Sequence, residues 1–290
     1  MKSYIKLFFM AATIGIKATD TTEKKRFNLP YVNFYSSMNQ HKLNHPLPPI
    51  GHINNMRWRM LKALYEKNFS LLYQSQTLPK IPKVIHQIWL GSPFPEKYKR
   101  YQESWLRNHP DWQYKLWTDE DVKKMKLYNQ AAYNNAPNYG EKADILRYEI
   151  LYHHGGLYVD TDFEAIRSFD VLNNSYDFYV GISRVNPVRV SNALIASKPG
   201  HPIFKHCMKI IKRNQQQKLF ETQTVERTGP EVLTQAFLSY IASDTTSIIA
   251  LPISFFYPLP IGHLAREASY WVKPETFAIH YWATSWVYGA

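Results

Sequence analysis

The chain has 290 residues, 45% hydrophobic and 15% aromatic, enough for a sizeable core and unlike a disordered or collagen-like composition. Its one cysteine, Cys207, excludes a disulfide framework and any cysteine-based zinc cluster. The formal charge of +12 suggests a polyanion partner, but residues 1–80 hold 12 Lys/Arg against 3 Asp/Glu while residues 81–290 hold 23 against 20, so the near-neutral body argues against nucleic acid.

Residues 1–18 have the pattern of a signal peptide. Lys2 and Lys6 precede the apolar run Leu7 to Ile16, and Ala18 offers a small residue for cleavage. That run is too short to span a bilayer. A cleaved or retained signal implies export or membrane association; an ordinary N-terminal helix would leave the chain cytoplasmic. Residues 19–78 divide into a polar linker with Pro46, Pro48 and Pro49 and a basic amphipathic helix over 52–76. Its apolar positions are Ile53, Met56, Met60, Leu61, Leu64, Tyr65 and Leu72. Arg57, Arg59, Lys62 and Lys67 interleave with them. Such a helix packs on the main domain with its bases in water, or meets a membrane surface peripherally.

From residue 79 to 290 the pattern alternates. Strands are predicted at 83–89, 112–117, 157–159, 176–182, 192–197 and 277–282. Helices are predicted at 119–127, 140–154, 201–213 and 230–242. The alternation predicts an α/β domain with a largely parallel sheet, preceded by the N-terminal helical extension.

Two D-x-D triplets occur. Asp119-Glu120-Asp121 follows Thr118 and precedes Lys123, Lys124 and Lys126, which is the signature of helix capping and dipole complementation. Asp160-Thr161-Asp162 follows Gly155-Gly156 and the β-prone Leu157-Tyr158-Val159. Alternation puts Asp160 and Asp162 on one face at the exit of a strand, where α/β proteins gather their ligands. Two neighbouring carboxylates repel unless a cation lies between them, and a divalent metal with oxygen-rich coordination is the simple solution. Asp144 and Arg147 share a face of the preceding helix. From Arg147 to the helix end is roughly 10 Å, and from Gly156 to Asp160 roughly 13 Å, so a strand returning along the helix brings the two pairs nearly level.

These residues, with others, form a recognisable series. Ile81-Pro82-Lys83-Val84-Ile85-His86-Gln87-Ile88-Trp89-Leu90-Gly91 resembles the opening block of glycosyltransferase family 32. Lys142 to Tyr148, Gly155 to Asp162, Thr228-Gly229-Pro230 and Ala278 to Trp286 resemble its later blocks, in order, over about residues 79–290. The resemblance implies a GT-A nucleotide-sugar-binding fold. It also implies a retaining, Mn²⁺- or Mg²⁺-dependent transfer of a hexosyl group from a UDP- or GDP-hexose to a glycan, lipid or protein acceptor. By the same resemblance, Trp89 would stack on the nucleobase, and Asp144, Arg147 and Asn192 would meet the donor sugar. Tyr158 and Asp160 would hold the ribose. Asp160, Asp162 and His280 would bind the metal, and Ser285 and Trp286 would close over the diphosphate. Asp144, Arg147, Asp160 and Asp162 would form the catalytic set. His86, His153 and His154 read as structural, and Asp144 and Glu164 are candidate nucleophiles by proximity alone. Two readings from other classes remain: a basic polyanion-binding protein and a metal-dependent phosphohydrolase.

Overall fold

The computed structural model describes residues 29, 31–39, 55–74, 78–185, 187–217, 224–263 and 267–283. The signal segment, most of the linker, Ser285 and Trp286 lie outside the described residues. The architecture is α/β. Six strands form the central sheet in the order β2-β1-β3-β6-β5-β7, and two more, β4 and β8, pair beside it. Their ranges are β1 Val84–Ile88, β2 Gln113–Trp117, β3 Gly156–Val159, β4 Phe163–Ala165, β5 Phe178–Val185, β6 Val188–Ser197, β7 Ile248–Leu251 and β8 Ala278–His280. Three of the five pairings in the large sheet are parallel; β6 runs against both of its neighbours.

That reversal positions the site. β1 and β3 are parallel and present their carboxyl ends at one edge of the sheet, while antiparallel β6 presents its earlier residues there. Val159 pairs with Leu194, and the Asp160 N–H donates to the Ala193 carbonyl at 2.8 Å. Trp89, Asp160 and Asn192 therefore reach the same end of the sheet from three strands.

The Tyr139–His154 helix enters β3 through a reversal that needs two glycines. Gly155 has φ +63 and Gly156 φ +92. A Cβ on Gly155 would meet Pro199 at 2.7 Å, and one on Gly156 would meet the Val84 carbonyl oxygen at 2.7 Å. Side chains are excluded there both by conformation and by space. The Gly155 N–H closes the helix on the Leu151 carbonyl at 3.0 Å.

Several elements differ from the sequence expectation. The amphipathic helix is Met56–Asn68, continued by a 3₁₀ turn at Phe69–Tyr73. Its buried face is Trp58, Leu61, Leu64 and Tyr65, with Phe69 and Leu72 beyond, whereas Met56 is 61% exposed. Leu61, Leu64, Tyr65 and Leu72 of the expected stripe are buried; the differences are Met56, which is exposed, and Trp58, whose large apolar ring enters the core one turn before Leu61. These residues belong to the same core as the central sheet. Three of the four bases on this helix have partners: Arg57 pairs with Glu231 at 2.6 Å, Lys62 with Glu66 at 2.6 Å, and Lys67 donates to Thr245 Oγ1 at 2.5 Å. No helix among the described residues is long and apolar enough to cross a membrane.

The helix expected at 119–127 is one turn, Asp119–Val122. Val122 is the buried residue of this turn, and Met125 and Leu127 beyond it reach the core outside a helix. Asp121 accepts from the Thr118 N–H at 2.9 Å, and Asp119 accepts from the Gly91 N–H at 2.7 Å. The helix Glu96–Asn108 was not anticipated, because six charged residues obscure an apolar row of Tyr98, Tyr101 and Trp105. β4 and β7 were too short to separate from their surroundings.

The burial pattern makes a direct prediction. Trp58→Ala should cost about 3–5 kcal/mol in urea unfolding, whereas Met56→Ala should stay within about 0.5 kcal/mol of wild type. Equal losses would show that the helix faces the core through the other row.

Candidate active site

A cleft of about 1150 Å³ opens at the carboxyl end of β1 and β3. Trp89, Asp144, Arg147, Tyr158, Asp160, Asp162, Asn192 and His280 all line it. The sequence-expected residues that lie among the described ones are thus brought together.

The centre of the cleft wall is a buried cation between two acids. The Arg147 side chain is only 6% exposed. Its Nη2 lies 3.1 Å from Asp144 Oδ1, and its Nη1 lies 3.3 Å from Asp160 Oδ1. Nη1 also donates to the Asn192 carbonyl at 2.7 Å and Nε to the Ala143 carbonyl at 3.2 Å. The guanidinium rests 4.6 Å over the Tyr158 ring. Helix and strand therefore do come level, and every nitrogen of the guanidinium has a partner.

Asp144 is held from three sides. Besides Arg147, Asn192 Nδ2 donates to its Oδ1 at 2.7 Å and Thr228 Oγ1 to its Oδ2 at 3.1 Å. Burial pushes its carboxyl up to about 6, although Arg147 pulls the other way. Asp160 accepts from the Tyr158 hydroxyl at 2.7 Å, and its main-chain carbonyl accepts from Gln87 at 3.3 Å. Removal from water raises the Asp160 carboxyl, Arg147 opposes that rise, and the charge of Asp162 adds to it. For Asp162, burial also pushes upward, but the His280 imidazole and the Ala283 N–H hold the group below the usual carboxylate range.

Asp160, Asp162 and His280 bring one ligand atom each within 4.8 Å of one another. His280 Nε2 lies 3.2 Å from Asp162 Oδ1. Its Nδ1 is buried with no hydrogen-bond partner among the described residues. Two carboxylate oxygens and one imidazole nitrogen suit a divalent ion such as Mn²⁺, for which imidazole is a better ligand than for Mg²⁺. The donor set fits a metal.

Trp89 is half-buried, one residue beyond β1, with its ring 5.3 Å from Tyr98 and 5.8 Å from Phe94 and its Nε1–H donating to Ser92 Oγ at 3.1 Å. Its ring is therefore held in place beside the cleft rather than lost in the core. Glu164 points elsewhere: its carboxylate accepts from the Tyr281 hydroxyl at 2.5 Å, and it is not part of the cleft wall. His86 is structural, with Nε2 2.9 Å from the Gly155 carbonyl and Nδ1 accepting from Trp117 at 3.2 Å.

Sequence reasoning assigned no role to Thr228, Trp282, Tyr98, Tyr139 or Lys142, which all meet the site. Thr228 bonds Asp144, and the other four line the cleft. Thr228 stood in a quoted block but read as a turn before the Pro230–Ile241 helix. Tyr98 lay on the unanticipated helix.

Residues 95–179 match the family described as "Glycosyltransferase sugar-binding region containing DXD motif". The fold is shared with the structure titled "PaToxG Glycosyltransferase", at TM-score 0.50 and 23% identity, over 64% of this chain and 79% of that one. Fold and matched region agree with the resemblance to glycosyltransferase family 32: the chain has the GT-A-type fold of that structure and carries a match to the DXD sugar-binding region over residues 95–179. Among curated proteins it is similar to "Inositol phosphoceramide mannosyltransferase 2" of Schizosaccharomyces pombe, 36% identical over 140 residues, 47% of this chain and 40% of that protein. "Inositol phosphoceramide mannosyltransferase 1" of the same yeast is 31% identical over 183 residues, 60% and 57% respectively. "Mannosyl phosphorylinositol ceramide synthase SUR1" of Saccharomyces cerevisiae is 33% identical over 165 residues, 55% and 42%. The matches thus span about half the length of these relatives.

The buried histidines predict a pH effect. Burial lowers His86 to about 4 from the ordinary 6.5, and His201 to about 4 as well. The unfolded chain then takes up these protons near 6.5 and the folded chain only near 4. Stability is therefore lost as pH falls through that window, by up to about 1.4 kcal/mol per pH unit for each histidine. His86→Gln should reduce the slope of unfolding free energy between pH 6.5 and 4 by up to about 1.4 kcal/mol per pH unit; an unaltered slope would mean that His86 protonates freely in the fold.

Proposed function

We propose that the chain catalyses divalent-metal-dependent, retaining transfer of a mannosyl group from a nucleoside-diphosphate mannose to an inositol-phosphate-bearing lipid. The observation that carries the reading is the Asp160, Asp162 and His280 cluster in a cleft that also holds the buried Arg147 bridge. The mannosyltransferases to which the chain is similar support the choice of mannose and of the acceptor. An acceptor of that kind lies at a membrane, which agrees with reading the basic N-terminal segment as one for export or membrane approach.

Asp160, Asp162 and His280 would hold the cation, Mn²⁺ or Mg²⁺. When bound, the ion neutralises the negative charge that gathers on the departing nucleoside diphosphate. The remaining residues bind and orient. Trp89 offers an indole face for the nucleobase, a rigid surface whose immobilisation costs little entropy. Asp144 and Asn192, already locked to each other, present fixed hydrogen-bonding groups to sugar hydroxyls. Arg147 opposes the upward push that burial gives both acids and holds their carboxylates in place.

Retention requires either a covalent glycosyl-enzyme or attack on the face the leaving group vacates. Each cleft carboxylate among the described residues is engaged: Asp144 by Asn192 and Thr228, Asp160 by Tyr158 and Arg147, Asp162 by His280 and Ala283. Glu164 is tied to Tyr281. This supports same-face attack with no covalent intermediate, and mass-spectrometric capture of a glycosylated Asp or Glu would refute it.

A panel of nucleotide-sugars with Mn²⁺, with and without inositol phosphoceramide, tests the assignment by nucleoside diphosphate release. GDP-mannose should be turned over, faster with the lipid than without. Asp160→Asn and Asp162→Asn should each lower turnover about a hundredfold or more while both variants keep the wild-type fold by circular dichroism. Full activity in both variants, or turnover of every donor regardless of acceptor, would sink the reading.

A further inference from the structure

Trp282 has an unusual backbone. Its φ is +53, a left-handed conformation that bulky side chains rarely adopt. Apart from Ser247, it is the one non-glycine residue in that region among those described. Such a conformation persists only where its surroundings over-determine it, and Trp282 stands two residues beyond a member of the metal cluster.

The surroundings of Trp282 are specific. β8 pairs with β4 so that His280 lies directly opposite Phe163, and their rings stack at 4.3 Å with 5° between planes. The Trp282 indole covers the imidazole from another side, with centroids 4.1 Å apart. The indole is itself tethered, since Nε1–H donates to the Leu259 carbonyl at 2.8 Å and the ring packs 5.8 Å from Tyr257. His280 thus has no room to rotate about its side-chain bonds.

The left-handed turn has a second effect. It ends the extended path of β8 and directs the next peptide toward Asp162, just before the β4 strand with which β8 pairs. The Ala283 N–H donates to Asp162 Oδ2 at 2.8 Å, while the Tyr281 N–H donates to the Asp162 main-chain carbonyl at 3.0 Å. Residues 280–283 therefore wrap Asp162, with an imidazole on one carboxylate oxygen and a backbone donor on the other. A right-handed or extended Trp282 would point the Ala283 N–H elsewhere.

We propose that Trp282 is the positioning residue of the cluster: its tethered indole fixes the His280 imidazole, and its left-handed backbone aims the Ala283 N–H that fixes the Asp162 carboxylate. The inference rests on the metal site proposed above. Tyr281, between the two, faces away. Its ring stacks on Tyr101 at 4.8 Å and its hydroxyl serves Glu164, so it shares the local chain without sharing the role.

The test is Mn²⁺ binding without donor, followed by electron paramagnetic resonance on the full chain. Residues that orient metal ligands typically govern affinity by about ten- to a hundredfold. Trp282→Ala, which loses the ring and disfavours the turn, should weaken Mn²⁺ about tenfold. Trp282→Gly, which accepts the turn but lacks the ring, and Trp282→Phe, which keeps a ring but loses the tether, should each fall between wild type and Trp282→Ala. Tyr281→Phe should bind Mn²⁺ as wild type does. Wild-type affinity in Trp282→Ala with an unchanged thermal midpoint would overturn this role while leaving the metal site standing. Should Trp282→Ala not fold, the Gly and Phe variants decide on the same terms. Absence of Mn²⁺ binding by the wild-type chain would overturn the metal site and this inference together.

Discussion

Three carboxylates, Asp144, Asp160 and Asp162, converge on one cleft, and the buried guanidinium of Arg147 is what allows two of them to be there. An isolated buried charge costs several kcal/mol. Arg147 avoids that cost by touching Asp144 from its own helix, Asp160 from the end of β3 and the Asn192 carbonyl from β6. The same contacts join the helix and the strand directly after it to β6, which the chain reaches only later. The tight reversal at Gly155 and Gly156 then becomes a requirement, because only a strand returning directly along the helix brings Asp160 to Arg147. A longer connection would leave the cation with one acid and the second acid with none.

The other half of the site is organised around Asp162 instead. It stands where the large sheet gives way to the small one, so its partners come from the end of the chain through β8. Rings rather than charges hold this half: Phe163, His280 and Trp282 form a packed group, with Tyr257 against it. The two halves meet only across the short step from Asp160 to Asp162. One side is fixed by a buried ion-pair network and the other by aromatic packing, and a divalent cation would bridge them.

Much of this was legible in the sequence. The i, i+3 spacing of Asp144 and Arg147, the glycine pair and the alternation of Asp160 with Asp162 suffice to place these residues at one end of one strand. The apolar runs at β1, β3 and β6 were equally clear. Other features were hidden for physical reasons. The Glu96–Asn108 helix carries its buried row beneath six charges, and Met56 and Trp58 both satisfy an amphipathic pattern until packing chooses between them. Asp119 had the look of a simple helix cap, yet it also holds the Gly91 N–H at the exit of β1. Nothing local to either segment records that contact.

Local chemistry along the chain determined which residues could carry charge, turn or stack: the acids after a glycine-led strand, the arginine one helical turn from Asp144, the histidine in an apolar terminal block. Those properties depend on neighbours within a few residues, which a sequence displays directly. Tertiary structure alone decided the rest. It gave Thr228 and Asn192 to Asp144, turned Glu164 away to Tyr281, and forced Trp282 into a left-handed turn against His280. Each of these outcomes depends on which strand runs beside which and in what direction. That choice is settled by burial summed over the whole core, and no short window of residues contains it.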